Sequence, residues 1–424
     1  MLDIRLIREK PDYVRERLAT RDRGLVRLVD SLLEIDAKRR RLETEMQKLS
    51  GERNRLSKEI GVLRSKKVPS ADLESEVRKI GEATARLGKE VAAADEAQSE
   101  LLYGIPNLPH LSVPIGTDAT ANPVVRTWGD KPVFSFRPLD HVTLGSNLGL
   151  FDLERAAKIS GSGFIAFTST GARLQRALIQ FLLDLHTLDH GYVEMAPPYL
   201  VRRKCMLGTG QLPKFEEEAY GLEEGELFLI PTAEVPLTNF HRDELLSLDE
   251  LPKYFVAQTP CFRREAGSAG RDTRGLIRVH QFDKVELVKI TTPESSYQEL
   301  QSLTADAEKV LQILGLPYQV VELCTADVGF AMAKTYDLEV WAPGQGQYLE
   351  VSSCSNCEEF QARRMNLRFK STTGDNRMPH ILNGSGTALA RLFVALVETY
   401  QQPDGSILIP EPLQPYVRTD RISK

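Results

Sequence analysis

Chemistry in this chain of 424 residues is concentrated between Pro260 and Leu287, where the sequence reads PCFRREAGSAGRDTRGLIRVHQFDKVEL. Within it Arg263 and Glu265, Arg278 and His280, and Lys284 and Glu286 each stand two residues apart. Residues i and i+2 point to the same side of a strand. A sheet face carrying arginines and glutamates together suits a polyanionic ligand that also bears a cationic or donor group. The same pattern suits a solvated hairpin face. Other chemistries are less well served. No G-x-x-x-x-G-K-[ST] loop occurs, and SGSGF at 160–164 has neither the lysine nor the spacing of a dinucleotide fingerprint. Gly384-Ser385-Gly386 lacks the spacing of a nucleophile elbow.

The elements that must position these residues can be read from periodicity. Lys253 to Arg263 and Leu276 to Val288 alternate apolar and polar residues around a loop holding Gly267, Gly270 and Gly275, the signature of a hairpin with a long charged tip. Short strands dominate from Leu227 to Lys289 and return after a helix over Thr292 to Leu314, with Thr292-Pro293 at its start. Helices are also expected near Leu139 to Lys158 and Gly171 to His190. GYVEMAPPYLV follows, a strand closed by Pro197 and Pro198 and so suited to a sheet edge or an interface. Arg391 falls on the first turns of the last core helix. This spacing predicts an α+β domain over 139–424 with a mostly antiparallel sheet.

A different pattern precedes it. After one or two short helices in residues 1–25, Leu28, Ile35, Leu42, Leu49, Leu56 and Leu63 recur every seven residues, with Arg39 and Arg53 interrupting the complementary positions. RSKKVPS at 64–70 breaks the helix, and the seam restarts at Leu73, Ile80, Leu87, Ala94 and Leu101. Two heptad helices joined by a short turn fold back as an antiparallel coiled-coil arm, here over 28–102 within an N-terminal domain 1–103. The first helix reaches about 50 Å. Its outward positions include Lys38, Arg40, Arg41, Lys48, Arg55, Lys58, Arg64, Lys66 and Lys67, which suits either a distant polyanionic partner or a solvated coiled coil. The Pro- and Gly-rich stretch 104–138 reads as a connector.

Composition bounds the rest. A hydrophobic content of 42% and charged content of 27% place the chain among ordinary globular proteins. No apolar run reaches the roughly eighteen residues of a membrane span, the N-terminus is charged, and a cytoplasmic location is expected. A net charge of -5 confines any nucleic-acid contact to a local basic surface. Cys354 and Cys357 form a lone C-x-x-C among five cysteines, so no structural zinc is expected.

Three stretches, in order, resemble the signature motifs of class II aminoacyl-tRNA synthetases, and of the bacterial-type seryl-tRNA synthetase family in particular. GYVEMAPPYL resembles motif 1, PCFRREAGSAGRDTRGLIRVHQFDKVEL motif 2 and GSGTALARLFVALVETYQ motif 3, with TAEVPL and EVSSCSN between them. The N-terminal arm is also like that family's. SGSGF departs from it, lacking an arginine that many members carry.

The resemblance implies ATP contacts at Arg263, Arg264, Glu265, Arg278, Val279, Phe282, Glu350, Val351, Ser352, Ser353 and Arg391. Arg263 would hold the α-phosphate, Arg391 the γ-phosphate and Arg278 the pyrophosphate side. Glu265 and the backbone at Val279 would contact adenine, with Phe282 stacked beneath it. Glu350 and Ser353 would bind Mg²⁺, a hard cation served by oxygen ligands. Thr232, Ala233, Glu234, Arg263, Glu286, Asn383 and Ser385 would bind L-serine, with Glu286 and Ser385 on its hydroxyl. Arg263, Glu265 and Arg391 would form the catalytic set. Further implications are a homodimer paired through motif 1, tRNA(Ser) and also tRNA(Sec) as partners, no membrane contact, and a hairpin tip from Ala266 to Gly275 that meets the acceptor end. The activity implied is ATP-dependent formation of seryl-adenylate followed by transfer of serine to the 3′ end of tRNA. A ligase loading a carrier protein would lack the arm, and a non-catalytic tRNA-binding relative would have lost groups such as Arg263, Glu350 and Arg391.

Overall fold

The computed structural model describes residues 1–266 and 274–424. Leu2–Ile105 forms one unit and Pro106–Lys424 another.

In the first unit, helix α1 (Val26–Ser65) runs for 40 residues, about 60 Å, and turns back into α2 (Ala71–Gly104). Leu42, Leu87 and Val91 form its apolar seam with Met46 and Leu49. Toward the base the buried stripe is Val29, Leu32 and Asp36, whereas the heptad positions Leu28 and Ile35 are only half-buried. Two causes combine. A straight helix drifts against a seven-residue repeat, and the short helices Ile4–Glu9 and Pro11–Ala19 pack on α1 there. The buried Asp36 carboxylate accepts hydrogen bonds from Arg8 (3.0 Å), Arg40 (3.0 Å) and Gln98 (3.1 Å). The basic residues named from the sequence, Lys38 through Lys67, are all exposed.

The second unit is built on eight strands: β1 (Val124–Trp128), β2 (Val193–Glu194), β3 (Lys253–Phe262), β4 (Gln281–Thr291), β5 (Tyr318–Glu322), β6 (Lys334–Ala342), β7 (Gln347–Asn356) and β8 (His380–Ala388). Their order across the sheet is β1-β5-β6-β7-β8-β4-β3-β2. All pairings are antiparallel except β2 on β3, so the motif 1 stretch supplies a short parallel edge strand. The stretch 104–138 is more than a connector, because β1 within it closes the opposite edge.

Helices α3 (His141–Leu148), α4 (Ser169–Asp184), α5 (Ser296–Ile313) and α6 (Leu389–Thr399) accompany the sheet. The expected helix over 139–158 is divided, because Gly149 takes φ +64 at the end of α3. Leu178 and Leu182 of α4, Leu303 and Leu311 of α5, and Phe393 and Leu396 of α6 join Val285 and Leu287 of β4 in one buried core. Alternation then sends Lys284 and Glu286 to the other face.

Candidate active site

That other face floors a cavity of about 350 Å³. Its deep end holds Thr232, Glu234, Lys284 and Glu286, all buried. The Lys284 ammonium donates to Thr232 Oγ1 at 2.8 Å and touches the Glu286 carboxylate. Glu234 Oε1 accepts from the Gln361 amide at 2.6 Å. Burial, and then the charge of Glu286, pushes the Glu234 carboxyl up to about 7. Two carboxylates thus face one ammonium, and among the described residues no second positive charge lines the deep end. Asn383 and Ser385 of β8 complete the wall.

The open end carries the arginines. Arg263 Nε donates to the Pro231 carbonyl at 3.3 Å, and its guanidinium lies 5.2 Å from the centre of the Phe282 ring. Arg391, on the first turn of α6, donates to the carbonyls of Glu350 (2.8 Å) and Ile277 (3.2 Å) and stands 3.4 Å from the Glu350 carboxylate. Arg278 pairs with Glu265. The cation expected on the pyrophosphate side and the carboxylate expected on adenine hold each other.

Strand alternation accounts for only part of this. β3 ends at Phe262 and β4 begins at Gln281, five residues later than expected. Glu265, at φ +52, lies beyond the strand, as do Arg278 and His280. They are placed by tertiary contacts. Leu276 N donates to His141 Nε2 at 3.1 Å, and Gly275 takes φ +67 so close to His141 that a Cβ there would lie 2.2 Å from the imidazole. His141 in turn donates from its backbone N (2.8 Å) and pairs through Nδ1 (3.0 Å) with Glu398, buried on α6. One buried pair therefore links the returning limb of the hairpin to the helix that carries Arg391.

Glu350 and Ser353 are three apart, which on a regular strand puts them on opposite faces. They share the cavity because β7 bulges. Leu338 lies opposite Ser352 and Glu339 opposite Glu350, leaving Val351 as the extra residue. Asp337, opposite Ser353, is held well above the usual carboxylate range by burial and by the Glu350 charge, and its Oδ1 has no hydrogen-bond partner. Burial and the Glu350 charge thus hold the Asp337 carboxyl protonated with one oxygen unpartnered, and an oxygen-rich wall of that kind beside Glu350 and Ser353 fits a divalent cation. Among the described residues no cluster of three or more His, Cys, Asp or Glu could hold a metal without a ligand's help. Cys354 and Cys357 are buried, and burial pushes Cys354 up to about 12.

Of the sequence-predicted residues, Thr232, Glu234, Arg263, Glu265, Arg278, Val279, Phe282, Glu286, Glu350, Val351, Ser353, Asn383, Ser385 and Arg391 line the cavity. Three do not. Arg264 is exposed outside it, its backbone N–H bonded to the Glu218 carbonyl at 2.9 Å. Ala233 packs in the core below Phe255 and Val288. Ser352 is buried behind the wall, donating to the Ser385 carbonyl at 2.5 Å. Lys284 is the principal residue without a predicted role; its spacing from Phe282 and Glu286 was the available signal. Gly163, where the arginine is missing, takes φ +81 with a prospective Cβ 2.6 Å from the His280 ring. His280 has taken the adjoining space. The hairpin tip expected to meet an acceptor end, Ala266 to Gly275, lies mostly outside the described residues.

Comparison with known proteins assigns the chain to a family. Residues 1–109 match the seryl-tRNA synthetase N-terminal domain, and residues 215–400 match the class II tRNA synthetase core domain (G, H, P, S and T). A serine–tRNA ligase of Akkermansia muciniphila is 57% identical over 100% of this chain and 99% of its own. The chain belongs to the seryl-tRNA synthetase family. A second relative, the serine–tRNA ligase of Methylacidiphilum infernorum, is 53% identical over 99% of this chain and 100% of its own. The crystal structure of seryl-tRNA synthetase from Pyrococcus horikoshii complexed with ATP superposes with a TM-score of 0.94 at 39% identity, covering 100% of this chain and 99% of that one. The mostly antiparallel class II core and the coiled-coil arm are therefore those of a seryl-tRNA synthetase family member. No described helix is long and apolar enough to cross a membrane.

Proposed function

We propose that this chain activates L-serine with ATP to give seryl-adenylate and pyrophosphate, and then transfers the seryl group to the 3′ end of tRNA(Ser), and of tRNA(Sec) where that tRNA exists. The observation that carries the substrate assignment is the charge imbalance at the deep end. Glu234, Glu286 and Lys284 leave room for one further cation, which the α-ammonium of an amino acid supplies. Glu286 and Ser385 then meet a hydroxyl at the end of a short side chain. Alanine leaves those polar groups unpaired and is rejected.

In the first step the serine carboxylate attacks the α-phosphorus and pyrophosphate leaves. Arg263 balances the charge that builds on the α-phosphate oxygens, Phe282 stacks under adenine, and Arg391 holds the terminal phosphate. Arg278 releases Glu265 as the phosphates arrive, which frees the carboxylate for the adenine amino group. Glu350 and Ser353 are the residues that would hold Mg²⁺. When bound with ATP, the ion supplies charge neutralisation on the phosphates. In the second step a ribose hydroxyl of the terminal nucleotide attacks the seryl carbonyl, and AMP leaves.

The protein acts as a homodimer in this reading. Leu188, Val193, Tyr199 and Leu200 of the motif 1 region are 79%, 58%, 44% and 45% exposed beside the β2 edge, an apolar surface suited to a second copy. Serine-dependent ATP–pyrophosphate exchange tests the assignment. We expect exchange with serine alone among the amino acids; exchange with a different amino acid and none with serine overturns it.

A further inference from the structure

Two irregularities of the backbone meet one residue away from the groups assigned to the substrate hydroxyl. The first is in β8. Along its pairing with β4, Val285 lies opposite Thr387 and Glu286 opposite Ser385, so Gly386 is an extra residue left out of the ladder. A bulge of this kind re-aims its neighbours, and here it sets Ser385 beside Glu286 on the wall of the cavity. The second is at the end of α4, where Leu185–Asp189 makes a π turn closed by His190 N on the Leu185 carbonyl at 3.3 Å. Single π turns inside helices are rare and frequent at functional sites.

The π turn brings His186, fully buried, against the bulge. A Cβ on Gly386 would lie 2.7 Å from His186 Nε2 and 3.2 Å from Val285 Cγ1, so the ring occupies the space that a side chain there would need. The ring is itself fixed. His186 Nδ1 pairs with His190 Nδ1 at 3.0 Å, one imidazole donating to the other, and Tyr192 N donates to the His186 carbonyl at 3.0 Å. Burial, and then the neighbouring His190, holds His186 down to about 3, so a neutral ring backs the bulge. The Ser352 hydroxyl holds the Ser385 carbonyl in turn. The ammonium side of the pocket is built separately. Glu234 opens the short helix Glu234–Asn239 and is held by Gln361. Loosening the bulge therefore disturbs the hydroxyl contacts and leaves those to the ammonium in place.

We propose that His186 is a positioning residue for amino-acid selection: packed against the Gly386 bulge, it sets Ser385 and Glu286 at the spacing that accepts a hydroxyl, and so separates serine from alanine. The assignment rests on the function proposed above and adds to it a residue that touches no substrate. Two single variants and their combination test it. His186→Asn keeps an amide where Nδ1 meets His190 and removes the edge that faces Gly386, whereas Gly386→Ala drives a methyl group into that edge. Each protein is titrated with the non-reactive sulfamoyl analogues of seryl-adenylate and alanyl-adenylate, which differ by the hydroxyl alone. In each single variant the seryl analogue is expected to bind at least about tenfold more weakly, the scale of one hydrogen bond to a charged group, while Kd for the alanyl analogue stays within about twofold of wild type. The combined variant should bind the seryl analogue more tightly than Gly386→Ala does, because the methyl group enters the vacated space and the two losses do not add. Equal weakening of both analogues marks a merely structural role and overturns the proposal, as does unchanged binding of the seryl analogue or a combination in which the losses add. If His186→Asn does not fold, Gly386→Ala carries the test: a loss confined to the seryl analogue supports the proposal, and an equal or absent loss overturns it. Absence of serine-dependent exchange in the wild type overturns the underlying function instead, so the two failures are separable.

Discussion

Glu234 shows how a single side chain trades stability for binding. Burial and the neighbouring Glu286 raise its carboxyl to about 7, from a usual value of 4.5. The folded chain therefore binds a proton there that the unfolded chain has released between those two values, and the folded state loses stability as pH rises through that window. Glu234→Gln removes the penalty. The variant should exceed wild type in thermal stability at pH 8, by on the order of 2 kcal/mol, and the gap should close toward pH 5. Binding runs the other way, because an α-ammonium needs the carboxylate. We expect the KM for serine in the exchange reaction to rise as pH falls below about 7, approaching tenfold per unit, and Glu234→Gln to have a high KM that is flat from pH 6 to 8. A wild-type KM insensitive to pH over that range rules out this role. Much of this site was legible in the sequence wherever a regular strand carries it. Phe282, Lys284 and Glu286 share a face because β4 alternates without interruption from Gln281 to Val285 and its side chains keep their parity through Glu286. Arg263, Glu265 and Arg278 line one cavity, but strand alternation does not bring them there, since the ladder stops at Phe262 and their positions come from a left-handed residue and long-range contacts. Glu350 and Ser353 were legible only by resemblance, because no spacing rule foresees the bulge at Val351.

At the scale of elements, the hairpin and α6 act as one assembly through Glu398. Its two oxygens accept from five N–H groups: His141 N (2.8 Å), His141 Nδ1 (3.0 Å), Gly344 N (2.9 Å), Gln345 N (3.2 Å) and Gln345 Nε2 (2.9 Å). Such a site needs a pure acceptor. Glu398→Gln turns an amide NH₂ toward donors and should cost roughly 2–4 kcal/mol, the range for hydrogen bonds to a charged group and the desolvated donors left behind. Its functional effect should be selective. Leu276 N hangs on His141 Nε2, and the next two residues supply the carbonyl that orients Arg391 and the guanidinium of Arg278. The KM for ATP in exchange is therefore expected to rise several-fold more than the KM for serine, whose pocket is lined by Thr232, Glu234, Lys284, Glu286, Asn383 and Ser385, residues with no hydrogen bond to His141 or Glu398. Equal changes in both would mean that Glu398 matters only for folding. Sequence reading had no access to this contact. Glu398 lies near the end of a helix whose pattern is apolar, and its partner is 257 residues away. The same limit explains the 104–138 stretch, where proline and glycine mark a connector but strand β1 is defined only by its pairing with β5.

For the whole molecule, the heptad repeat specified a helical hairpin and its turn, and left the purpose of its length to be argued from charge. The coiled coil is held by its own seam, through Leu42, Leu87 and Val91 in the middle and the Asp36 network at the base, which uses Arg40; the other exposed bases named from the sequence take no part in either. Ten basic residues from Lys38 to Lys67 stay in solvent, several offset by glutamates one turn away, as Arg55 is by Glu59 at 3.5 Å. A surface of that kind gains affinity from a polyanion by releasing counterions, and the gain is lost steeply as salt rises. The residues assigned to adenylate formation all lie within Pro106–Lys424, so that step should be indifferent to the arm. The seam offers a clean place to cut: Met46 Sδ would stand 3.9 Å from a Cβ on Gly88, so the two helices are in register there. Replacing residues 47–87 with a short glycine turn retains Asp36, Arg40, Gln98 and the contact of Leu42 with Val91. Serine-dependent exchange should be unchanged, while kcat/KM for tRNA charging falls by about a hundredfold or more and its dependence on salt flattens. Charging that survives the cut with the same salt slope would place tRNA recognition elsewhere on the molecule and leave the exposed bases of the arm as a solvated surface.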